Sequence, residues 1–147
     1  MFGPIGAVMT RAISTPTHRK KVDLQAREQW IADLTSMAED VARWSDKNDW
    51  TVKWETKRIA EDEIGVYNAP ALIIQTAQGR LYFTPIARYF YGDTTGRIEI
   101  SGPTFAQIIL LRKGHTWKFF SDDMVNLRKA WSQTSFNQIA RDLLNRP

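Results

Sequence analysis

The sequence predicts a single α+β domain, with a mainly antiparallel sheet of five to seven strands flanked by a long N-terminal helix and a short C-terminal helix. Three observations carry this. Residues 71–121 break into short apolar or alternating runs separated by Gly-containing turns, which is how paired strands read. Leu24 to about Ser45 repeats its apolar residues at helical spacing. Each helical stretch has one apolar stripe, and such a stripe needs a sheet or another helix to cover it.

A chain of 147 residues has the size of one domain and buries enough surface to fold without metal or disulfide staples. Six Trp residues favour a core that contains a sheet, because flat rings pack well on pleated surfaces. Cys is absent, which excludes disulfides, thiolate metal sites and a cysteine nucleophile. No apolar run has the length needed to cross a bilayer. The opening Met1 to Met9 is interrupted by Gly3, Pro4 and Gly6, with no basic residue ahead of it, so it makes a poor secretory signal. A cytoplasmic protein without a membrane partner is expected.

The net charge of +4 has a location. Residues 1–22 contain Arg11, Arg19, Lys20 and Lys21 and no acid, whereas residues 23–147 carry sixteen basic and sixteen acidic side chains. The first stretch has no period of 2 or 3.6 and is expected to be a mobile basic arm, in which Arg19, Lys20 and Lys21 are candidate contacts for an anionic partner. The domain that follows is balanced. A domain that grips a nucleic-acid backbone usually brings a positive surplus of its own.

In the helix from Leu24, the residues Trp30, Ile31, Leu34, Met37, Ala38, Val41 and Trp44 form the apolar stripe. Asp33, Ser36, Glu39, Asp40 and Arg43 fall on the other side, and Asp23 is the expected N-cap. Trp50 to Arg58 alternates, with Trp50, Val52 and Trp54 facing inward and Thr51, Lys53, Glu55 and Lys57 facing water. Ile59 to Pro70 reads as a connection with a short strand near Ile64 to Tyr67. Ala71–Thr76 and Arg80–Thr84 flank a turn at Gln78-Gly79. Pro85 marks an edge, a bulge or a break, and Ile86 to Tyr91 resumes the extended pattern. Arg97–Ser101 is the next strand. Gln107–Arg112 and His115–Phe120 form a hairpin about Lys113-Gly114. Ser121-Asp122-Asp123 is expected to cap a short helical turn reaching about Trp131, and Ser135 and Gln138 to open the final helix as a capping box.

Few residues suggest catalysis. His18 lies in the arm. His115, expected on the face of Trp117 and Phe119, would need a carboxylate such as Asp122 or Asp123 and a serine that no elbow motif supplies. No histidine pair has zinc-ligand spacing, and three consecutive acids such as Glu61-Asp62-Glu63 seldom converge on one ion. No phosphate-binding Gly loop occurs. No metal or cofactor is therefore expected. Glu55 and Lys57, two apart on a strand, resemble half of a Mg²⁺-dependent nuclease centre, but the acid-bearing strand that should precede them is missing.

One constellation supports binding. Arg80, Tyr82, Arg88, Tyr89, Tyr91 and Arg97 interleave cations and phenols over neighbouring strands. Exposed, such groups stack on bases or grip an acidic peptide; buried, they are packing with arginines laid over the rings. The expected function is a non-catalytic binding or assembly module that takes a protein partner or its own copy, through an edge strand or this face. A nucleic-acid-binding protein is the alternative, and a metal-dependent nuclease comes after it.

Overall fold

The first helix starts where a side chain replaces a missing backbone partner. The Asp23 carboxylate accepts a hydrogen bond from the Ala26 amide at 3.0 Å, and helix α1 then runs over Leu24–Lys47. A computed structural model describes residues 21–89 and 92–145. Of the expected basic arm, only Lys21 and Val22 are among them, and both are exposed. Trp30, Leu34, Met37, Ala38, Val41 and Trp44 are buried, as their spacing predicts. Asp49, with φ 61°, follows the helix and leads the chain into the sheet.

Six strands follow: β1 (Thr51–Glu61), β2 (Gly65–Thr76), β3 (Gly79–Ala87), β4 (Arg97–Ser101), β5 (Gln107–Lys113) and β6 (Thr116–Ser121). Each pairs antiparallel with the next, so the sheet is an up-and-down meander with β1 and β6 at its edges. Helix α2 (Gln133–Asn145) closes the chain. The register stacks apolar side chains in rows on one face. Leu72, Phe83, Ile100 and Ile108 form one row, and Pro85, Ile98, Leu110 and Phe119 another. The stripes of α1 and α2 share a single core with these rows. Trp44, Trp50, Phe119, Trp131 and Phe136 fill its end with tilted and edge-on ring contacts, at centroid distances of 5.7 to 6.3 Å. No helix among the described residues is long and apolar enough to cross a membrane.

The segment from Ile59 to Pro70, expected as a connection with a short strand near Ile64 to Tyr67, is the closed end of a long hairpin in which that short strand is the start of β2. β1 and β2 pair without interruption from Thr51–Gln75 to Glu61–Gly65. Pro70 is tolerated because β2 has ended its pairing with β3 at Leu72–Phe83 and is paired there on one side only. Along β2 the buried positions change phase: Tyr67 and Ala69, then Leu72, Ile74 and Thr76. The register meanwhile stays constant, so the two-stranded ribbon turns about its own axis near Pro70, as paired ribbons with no further neighbour do. Trp54 was expected to face inward with Trp50 and Val52. It lies on the outermost strand just before this turn and is 48% exposed.

Four further expectations are resolved. β3 runs through Pro85 to Ala87 with a bulge between those residues, so the proline marks a bulge and not a break. Lys113 pairs with Thr116, which makes the two-residue turn Gly114-His115, one step later than expected. Gly114 supplies the positive φ of 62° that the first position of such a turn requires. The slip takes His115 out of the strand. The helical turn expected after Ser121 does not form. Val125 O accepts from Ser121 N, and Leu127 N donates to Phe119 O, so this segment folds back along the outer edge of β6. The final capping pair is Ser132 with Ser135, three residues ahead of the expected Ser135 and Gln138. Ser132 N donates to Ser135 Oγ at 2.8 Å and Ser135 N to Ser132 Oγ at 3.3 Å, while Gln138 accepts from Lys129.

Gly96 enters β4 directly beneath Trp30, and a Cβ there would lie 2.2 Å from Cζ3 of that buried ring. Gly96→Ala is therefore expected to destabilise the fold by about 1–3 kcal/mol through overpacking. Urea titration followed by tryptophan fluorescence checks this, and an unchanged midpoint would refute the close packing of Trp30.

Candidate functional site

Arg112 continues the inward face of β5 after Ile108 and Leu110 and is only 2% exposed. A buried guanidinium needs a counter-charge and hydrogen-bond acceptors. Both come from distant chain. Its Nη1 meets Asp33 Oδ2 at 2.5 Å, its Nε donates to Thr95 Oγ1 at 3.2 Å, and its Cζ lies 4.8 Å from the Trp30 ring centroid. Burial lowers the Arg112 pKa, and the Asp33 carboxylate acts against that shift. Asp33 also faces His115 Nδ1 at 3.2 Å and accepts from Gln29 Nε2 at 3.2 Å. The carboxylate that meets His115 is therefore Asp33 of α1. The imidazole is largely exposed, and the Thr95 hydroxyl is engaged with Arg112. The pair thus has an oriented ring, with no hydroxyl nucleophile bonded to it among the described residues.

This network borders an open cleft of about 350 Å³ between the start of α1, Arg88, Thr95 and the Gly114-His115 turn. Beside it runs a second polar chain. Trp30 Nε1 donates to Tyr67 Oη at 2.9 Å, and Tyr67 donates to Glu61 Oε2. Glu61 also accepts from the main-chain amides of Arg88, at 3.0 and 3.1 Å, and of Tyr89, at 3.1 Å. Burial first, and then the bond to Glu61, hold the Tyr67 phenol well above its ordinary pKa.

The six residues proposed as a binding face do not form one group. Arg80, Tyr82 and Arg97 lie on the face away from the helices, where Arg80 Nε bonds Gln75 at 2.9 Å and Arg97 is paired with Glu99 at 2.6 Å. By register, Arg97 and Glu99 stand opposite the buried Leu111 and Ile109. Arg88 and Tyr89 lie beyond the bulge of β3, and Arg88 borders the cleft on the helix side with its guanidinium carbon 4.4 Å from the Tyr89 ring centroid. Its Nε is buried without a hydrogen-bond partner among the described residues. Tyr91, Arg19 and Lys20 lie outside the described residues; Lys21 is exposed at the chain's described start. Of the nuclease pair, Glu55 meets Lys53 at 3.4 Å and Lys57 Nζ donates to Pro85 O at 2.9 Å.

The sheet edges differ. The outer side of β6 takes hydrogen bonds from residues 125–127 along its second half. Among the described residues nothing pairs with the outer side of β1. Thr51, Lys53, Trp54, Glu55 and Thr56 are exposed there. Trp50, Val52 and Trp54 also line a groove of about 640 Å³ against Ala42, Arg43 and Asp46 of α1. Sequence alternation alone identified β1 as half-buried. Its edge position follows from the pairing order, which no local signal reports.

Two outcomes test the polar framework. Asp33→Ala leaves the Arg112 cation buried and unpaired and should cost about 3–5 kcal/mol, whereas the double change Asp33→Leu with Arg112→Leu should cost less than Asp33→Ala alone; chemical denaturation of the three proteins decides it. Tyr67 keeps its proton in the fold to higher pH than in the unfolded chain, so its contribution is complete below about pH 10 and is lost as pH rises beyond that. Tyr67→Phe should be about 1–3 kcal/mol less stable at pH 7, and the gap in urea midpoints should narrow as pH rises above about 10; a constant gap would argue against the raised phenol.

Comparison with protein families, with curated proteins and with solved structures finds no match to this chain.

Proposed function

We propose that the chain is a non-catalytic binding and assembly module that accepts an extended strand along the outer edge of β1. One observation carries this reading: an eleven-residue strand at the end of the sheet, unpaired on its outer side among the described residues and bearing a half-exposed tryptophan. An exposed edge offers a row of backbone donors and acceptors, and strand addition supplies their partners. The groove beside α1 gives side chains of the incoming strand a place to settle next to Trp50, Val52 and Trp54. Lys53 and Glu55, alternate residues on the opposite face, make the edge selective, since they favour a strand that places an acid opposite Lys53 and a base opposite Glu55.

The nucleic-acid reading draws less support. Arg97 is engaged with Glu99, Arg80 with Gln75, and Arg88 lies on the other side of the sheet. A continuous basic and aromatic track needs these groups together.

Nonapeptides selected from a random phage-displayed library against the whole chain test the reading. Bound peptides should slow hydrogen exchange of the outward amides of β1, and should bind Trp54→Lys about tenfold more weakly, as expected for a central aromatic anchor. A library that yields no binder, or binders that leave β1 exchange unchanged, would overturn it.

A further inference from the structure

We propose that the strand received by β1 is β1 of a second copy, paired antiparallel across a two-fold axis at Trp54. This rests on the reading of β1 as a strand-accepting edge and names its partner. The symmetry restricts the choice severely. Antiparallel pairing opposes residues whose side chains point to the same face, so a strand that meets its own copy must place one residue opposite itself.

Most such axes bring like charges together. An axis at Lys53 faces two ammonium groups, and one at Glu55 faces two carboxylates and adds Lys53 against Lys57. Axes at Lys57 and Arg58 oppose cations in the same way. An axis at Val52 leaves only residues 51–53 of the strand overlapping. An axis at Thr56 does oppose Glu55 to Lys57. However, Lys57 is held by the Pro85 carbonyl, and the strand beyond it belongs to the turned part of the ribbon, where Ile59 is buried.

The axis at Trp54 satisfies every position it pairs. Lys53 stands opposite Glu55 of the second copy, and Glu55 opposite its Lys53, so the in-chain pair at 3.4 Å extends into an alternating quartet. Val52 meets Thr56 and Thr51 meets Lys57, giving seven paired residues within the strand. The two Trp54 side chains face each other on the groove side. Trp54 is the one exposed tryptophan among the described residues, and the pairing covers it.

Sedimentation equilibrium from micromolar to millimolar concentration tests the proposal. The mass of the unaltered chain should rise from 17.0 kDa toward twice that value. Lys53→Glu or Glu55→Lys alone sets like charges opposite each other twice and should weaken association about tenfold or more, while the exchange K53E/E55K should restore it. Circular dichroism of each variant separates loss of pairing from loss of fold. A double exchange that stays monomeric, or restoration by E55K/K57E instead, would overturn the Trp54 register. An unaltered chain that is monomeric at millimolar concentration would overturn self-pairing; selected peptides that still protect β1 would then leave the strand-accepting reading intact. A dimer whose β1 amides exchange freely would sink both.

Discussion

The Glu61 carboxylate is the fixed point of the structure. It accepts the Tyr67 hydroxyl and two successive main-chain amides, Arg88 and Tyr89, and Tyr67 in turn receives the indole N–H of Trp30. A partly buried carboxylate persists only where its lone pairs are used, and these donors come from β1's own hairpin and from the chain leaving β3. The hydrogen bonds hold the turned end of the β1–β2 ribbon against the sheet. They also set Trp30 above Gly96 and Arg112, so the polar chain and the Asp33 network share one indole. The straight part of β1, including its exposed edge, is positioned by what this end anchors.

Much of the fold was legible because it is locally encoded. The α1 stripe, the Asp23 cap, the alternations of β3 to β6 and some irregularity at Pro85 each follow from a few neighbouring residues, with the pairing deciding that the last is a bulge. Errors arose where a local rule competes with a tertiary one. The acids and proline of residues 59–70 look like loop, yet uninterrupted pairing with a long partner strand outweighs that preference. Ser121-Asp122-Asp123 looks like a cap, yet the amides that follow find partners on the edge of β6.

The polar centre was nearly hidden. Asp33 falls on the polar side of α1, and only the fold shows that it sits close enough to the stripe to reach Arg112, 79 residues away. A signal was present in β5: Arg112 keeps the parity of Ile108 and Leu110, so an inward cation was implied and a carboxylate had to answer it. Placing the hairpin turn one residue later shifts the pairing by two, so Trp117 and Phe119 keep the face of Arg112 and Leu110, while His115 leaves the strand for the turn and meets Asp33 there. The candidate Arg/Tyr set divided for a related reason. The β3 bulge separates Arg88 and Tyr89 from Arg80 and Tyr82, and period-two counting does not carry across a bulge.

The short return of residues 125–127 along β6 has a consequence for assembly size. Endless stacking of sheets end to end requires every molecule to present two open flanks. Here one flank is stopped by the chain's own tail segment over half of a six-residue strand, and the stub that remains is too short to seat another sheet. The proposed joining at the other flank would then be a terminating event, giving a closed object of fixed stoichiometry in place of a fibril.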